Sequence, residues 1–108
     1  MKFLVLIEGV PGNPLPAAQL LSLAKAQLAW AKRQKKSGKI EAIYGLAEHA
    51  GGLMGGMGIC NFNSAEELAE ALATMPAAYS ASVKVFPLVG LETTERLIEA
   101  ELGVMKRK

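Results

Sequence analysis

One cysteine, one histidine and one tryptophan are all the chain holds of three residue types that commonly carry chemistry or anchor a scaffold. The lone Cys60 excludes an intrachain disulfide framework and any zinc site built on several cysteines. It fits a reducing compartment, and the expectation is a cytoplasmic protein. His49 and Cys60 together fall short of the three or four ligands a metal site takes, so neither a metal nor a cofactor is expected. Long apolar runs are missing too. The stretch Phe3 to Ile7 stops at Glu8 and is followed by Pro11, Gly12 and Pro14, too short for a membrane span or the core of a signal peptide. A dominant charge is also lacking: the net value of +2 gives no reason to expect nucleic acid as a partner.

What is present suits a single domain over residues 1–108, because 51% of the residues are hydrophobic and 20% charged. A chain of this size buries roughly 65% of its unfolded surface, enough for one core. Lys2 to Glu8 has the length and the β-branched and aromatic content of a strand. The stretch 9–16, with three prolines and two glycines, is a turn-rich connection. Ala17 to Ser37 reads as one long helix. Ala17, Leu20, Leu21, Leu23, Ala24, Leu28 and Ala31 share a broad apolar face with Trp30 at its edge, and Gly38 is the stop. The basic cluster Lys32, Arg33, Lys35 and Lys36 suits the negative end of the helix dipole.

Ile40 to Glu48 and Leu53 to Phe62 form two strands across a short hairpin connection, 49–52. Ser64 is placed as an N-cap, with Glu67 completing a capping box, for a helix that ends at Pro76. Ser82 to Val89 is a fourth strand, and Pro87 puts it at an edge. Leu91 to Leu102 makes a last helix with a Leu91/Ile98/Leu102 seam and Gly103 as its stop, leaving 105–108 as a frayed basic tail.

This order, β-α-β-β-α-β plus a terminal helix, predicts an α+β, ferredoxin-like fold with an antiparallel four-stranded sheet. Both long helices would cover one sheet face. The other face should be polar in a monomer, yet Leu4 and Leu6 oppose Phe3, Val5 and Ile7, while Ile40, Tyr44 and Leu46 oppose Ile43 and Ala47. Phe86 and Leu88 likewise oppose Val83 and Val85. A sheet apolar on both sides needs a second cover, and packing against another copy supplies one. A homodimer is expected.

The pieces SGK (37–39), FNSAEEL (62–68) and MPAAYSASVKVFPL (75–88) resemble the muconolactone isomerase family over roughly residues 1–89. That resemblance implies a dimeric α/β barrel, in which two ferredoxin-like units join through their sheets and often assemble further. It also implies isomerisation of a small lactone or organic acid as a candidate activity. Three departures stand beside it. The hairpin near His49 to Gly56 is longer and richer in glycine, Leu4 and Leu6 replace the polar side chains expected in the family's pocket, and the helix from Leu91 replaces a short histidine-containing tail. No catalytic residue is carried across.

The stretch 49–68 holds five glycines, the only histidine and the only cysteine. It matches neither nucleotide motif: Gly56-Met57-Gly58 lacks the third glycine of the dinucleotide fingerprint, and Gly51 and Gly56 lack the following Lys-Ser/Thr of a P-loop. Gly56 and Gly58 either bend the strand or leave a floor for a ligand. His49 titrates near working pH and could serve as acid or base, or simply sit exposed at a hairpin tip. Glu8, ending the first strand, is either a proton shuttle or a surface stop. Gln27, with Gln34, either lines a helix–sheet cleft or caps exposed backbone. Tyr44, Asn61 and Tyr79 are candidate pocket donors. Cys60 reads as a small buried hydrophobe, and Met54, Met57 and Met75 as gap fillers.

Two functions stay open on the sequence. One is proton transfer on a small organic acid or lactone, with Glu8 or His49 as base. The other is a non-catalytic module that binds a small organic ligand or assembles with copies of itself. A cofactor-assisted monooxygenase is a third and lesser reading.

Overall fold

A computed structural model describes residues 1–108 save Pro11, 49–51, Tyr79 and Lys108, and the backbone alone of 105–107. Seven elements follow one another: β1 (Lys2–Gly9), α1 (Ala17–Lys36), β2 (Ile40–Ala47), β3 (Leu53–Asn61), α2 (Ala65–Ala73), β4 (Ala81–Leu88) and α3 (Leu91–Arg107). The four strands make one antiparallel sheet in the order β2-β3-β1-β4, the order of a ferredoxin-like unit. Pro87 sits in the edge strand β4, opposite Phe3, where its missing N–H leaves no central ladder broken.

Local chemistry sets the boundaries. Gly38, just past the end of α1, has φ +85°, the left-handed conformation that glycine adopts without the Cβ penalty. The Ser64 hydroxyl accepts the Glu67 N–H at 3.1 Å, as an N-cap should. Glu67, however, reaches the Asn63 N–H at 3.4 Å rather than that of Ser64, because its carboxylate is also bound by the Lys39 ammonium. At the far end, α3 runs through Gly103 to Arg107 instead of stopping at the glycine. Gly103 is not among the glycines with positive φ, and one interior glycine costs a helix only about 1 kcal/mol.

The core lies on one face of the sheet, where Phe3 and Val5 of β1, Ile40 of β2 and Cys60 of β3 meet Trp30 and Ala31 of α1 and Leu68 of α2. Two expectations change here. The ladder slips between Ile40 and Ala42, and this irregularity turns Ile40 to the same face as Ile43, whereas strict alternation had set them opposite. The α1 face is also narrower than expected. Leu20, Leu23, Trp30 and Ala31 turn toward the sheet, but Leu21 is 66% exposed and Leu28 49%. A helix touching a sheet on one side buries only the arc that faces it.

Strand alternation places Leu4, Leu6, Tyr44, Leu46, Ile59, Phe86 and Leu88 on the opposite face, away from the core cluster formed by the described residues. Beyond β4, α3 extends the chain, and the protein measures 55 × 33 × 23 Å.

Candidate functional site

A cavity of about 70 Å³ opens between the helices and the sheet. Val5 and Ile7 of β1, Ile40, Ile43 and Tyr44 of β2, and Gly56, Met57, Gly58 and Cys60 of β3 form its sheet side. Trp30 and Ala31 of α1 and Leu72 and Met75, from α2 and the turn after it, form its helix side. The space exists because β3 presents Gly58 and Gly56 where larger side chains would fill the helix–sheet gap. Trp30 closes it from above, and its ring is pinned: Nε1 donates to Thr74 Oγ1 at 3.0 Å, and that hydroxyl donates to the Ala71 carbonyl at 2.7 Å. The indole is thereby tied to the C-terminal cap of α2.

The wall is almost wholly apolar. Tyr44 borders it from β2, but strand alternation turns its side chain to the opposite face of the sheet, where it is 57% exposed. Burial raises the Cys60 thiol above its ordinary pKa, which keeps it protonated and poorly nucleophilic at neutral pH. At about 15 Å³ for each water-sized group, the cavity has room for on the order of five such groups.

Of the residues singled out from the sequence, Tyr44, Gly56 and Gly58 come together on this cavity. Gln27 does not line it: its Oε1 accepts the Ala77 N–H at 3.0 Å and ties α1 to the turn after α2, the backbone-capping role. Asn61 lies on the other sheet face, since its neighbour Cys60 points into the core. Glu8 shares that outer face; its carboxylate is 3.9 Å from Lys84 Nζ and borders a shallow rim with Glu48 and Met54. His49 and Tyr79 lie outside the described residues. Sequence reasoning missed the roles of Trp30 and Thr74. A tryptophan on a helix arc, facing a strand with three glycines in four positions, was the available signal.

No protein-family model matches the chain, and no curated protein matches it either. Solved structures do. The chain is similar to 5-chloro-2-hydroxyhydroquinone dehydrochlorinase (TftG) from Burkholderia phenoliruptrix AC1100, in complex with 2,5-dihydroxybenzoquinone. The two share 20% identity and a TM-score of 0.67, over 86% of this chain and 98% of that one. It is similar to muconolactone isomerase at 21% identity and a TM-score of 0.67, over 83% of this chain and 90% of that one. The strand order, the two helices on one sheet face and these likenesses agree: the chain has the ferredoxin-like fold of the muconolactone isomerase-like proteins.

Proposed function

We propose that this is a muconolactone isomerase-like small protein that binds a small, largely apolar ring in the cavity under Trp30. The observation that carries the proposal is the wall itself: glycines and aliphatic side chains on one side, a pinned indole on the other, and no carboxylate among the lining residues. Such a pocket recognises shape and apolar surface. The protein would act as a cytoplasmic homodimer joined through the open sheet face.

Because Trp30 is the only tryptophan, its fluorescence reports on the cavity directly. Titration with benzene, phenol and a five-membered lactone should give a saturable change in the wild type. Gly58→Val fills the floor, since a Cβ there has only ordinary contacts at 3.6 Å and beyond. It should weaken binding at least about tenfold, ~1.4 kcal/mol. A signal that never saturates, or equal affinity in Gly58→Val, would sink the proposal.

Isomerisation by proton transfer is the second reading, supported by the shared fold with an isomerase and a dehydrochlorinase. In it, Glu8 or His49 would be the base and Tyr44 the orienting group. Full turnover of a lactone by Glu8→Gln and by His49→Ala would remove both from that role.

A further inference from the structure

Two helices of this chain carry apolar stripes that nothing among the described residues covers. On α1, Leu21 and Leu28 are seven residues apart with Ala17 and Ala24 on the same strip, turned away from the sheet and exposed. On α3, Leu91 is 83% exposed, Ile98 and Leu102 about half exposed, and the three lie within a narrow arc at 100° per residue. Each stripe is edged by charge on the same rotational side: Lys25 and Lys32 on α1, Glu92, Glu95 and Glu99 on α3. Over its whole length α1 has five cations and no acid. Residues 91–104 have four glutamates and one arginine. None of Lys25, Lys32, Glu92 and Glu99 takes part in an ion pair among the described residues.

We propose that α3 of one protomer docks antiparallel along α1 of a second copy of this chain. The partner's α1 rather than the protomer's own is the seat, for a reason of reach. Only Val89 and Gly90 join β4 to α3. β4 is one edge of the sheet, whereas α1 runs beside β2 at the other edge, roughly 14 Å away across three strand spacings. The antiparallel direction follows from the charges. A parallel pair would set the acidic first half of α3 against the first half of α1, which carries no cation before Lys25. The antiparallel pair sets it against the basic end of α1, with Lys32, Arg33, Lys35 and Lys36, and opposes the two helix dipoles.

Flanks on the same rotational side of two seams face each other only when the helices run antiparallel. In that register Lys25 meets Glu99 and Lys32 meets Glu92, both pairs seven residues apart. The lengths match as well, ~30 Å for α1 and ~26 Å for α3 at 1.5 Å per residue. α1 packs on the covered face of the sheet, so a contact along α1 is separate from the sheet-to-sheet one and does not depend on it.

The full-length chain tests this directly. Two differently tagged populations, one with Leu28→Cys and one with Ile98→Cys, are co-expressed, purified together and oxidised. The expected product is the mixed 28–98 species, which a single chain cannot form. A dominant 98–98 product, meaning α3 pairs with itself, overturns the proposal, as does the absence of any interchain cross-link. A second arm guards against failed folding. Lys25→Glu with Lys32→Glu should abolish the mixed cross-link while circular dichroism stays unchanged, and adding Glu92→Lys with Glu99→Lys should restore it. Failure of the restored variant to cross-link also overturns the proposal.

Discussion

At Gly55 a Cβ would stand 1.9 Å from the Ile7 carbonyl oxygen and 3.0 Å from the Glu8 Cα, so any side chain forces β1 and β3 apart. Gly55 is paired on both sides, with Glu8 of β1 and with Leu46 of β2 just before the ladder slips to Ala47, and neither neighbouring strand can yield alone. At Gly58, three residues on, a Cβ meets the Ala42 oxygen at 3.6 Å, an ordinary contact. Gly55→Ala should therefore cost at least about 3 kcal/mol, in the range of overpacking with backbone displacement. Gly58→Ala should stay within ~1 kcal/mol of wild type. Urea unfolding of both variants decides it, and equal midpoints would refute the distinction. The sequence posed the glycines as either room for a backbone or room for a ligand. Position divides the two roles: Gly55 makes room for the chain, while Gly56 and Gly58 floor the cavity. Composition could not reveal that division, because it depends on pairing register.

Among the elements, the start of α2 was legible to the residue, because Ser64 caps it through a short-range hydrogen bond that sequence spacing encodes, whereas the helix ends at Ala73, short of the Pro76 expected from the sequence. The Glu67 partner of Ser64 was less legible. Lys39, which binds that carboxylate, is far away in sequence and arrives only through the fold. The hydrogen bond from Lys39 is the largest cause holding the Glu67 carboxyl below its ordinary pKa of 4.5. A lowered folded-state pKa gives stability that is fully present above the unfolded value and lost as pH falls through the folded one. Glu67→Gln should accordingly have a lower urea midpoint than wild type at neutral pH, with the gap closing as the pH drops below about 4.5. A gap of constant size across that range would show that Lys39 contributes nothing through charge. For α1 the periodicity was read correctly but its burial was not. Leu20 and Leu21 are adjacent in a single apolar arc, and only the position of the sheet decides which of them is covered.

For the molecule as a whole, one unit leaves two kinds of apolar surface bare: the face of the sheet, and the stripes on α1 and α3. The sheet face spans four strands of about eight residues, roughly 19 by 27 Å. That is ~500 Å² in projection and larger once side chains corrugate it, near the ~800 Å² per partner of a standard interface. The apolar pattern of Leu4, Leu6, Phe86 and Leu88 was legible in the sequence, because alternation along a strand assigns faces directly. The stripe on α1 was not, since it becomes an outer surface only once the sheet has taken the other side of the helix. Leu4 stands close to the middle of the sheet face, flanked by Ile59 on β3 and Phe86 on β4, so a charge there would be buried without a partner in a sheet-to-sheet dimer. Testing the sheet alone requires silencing the helix contact first. In the Lys25→Glu/Lys32→Glu background, light scattering at micromolar concentration should give the mass of two chains. Adding Leu4→Glu should bring it to one, with the circular dichroism spectrum unchanged. A background protein that is already monomeric, or a dimer that survives Leu4→Glu, would show that the open face is not what joins the copies.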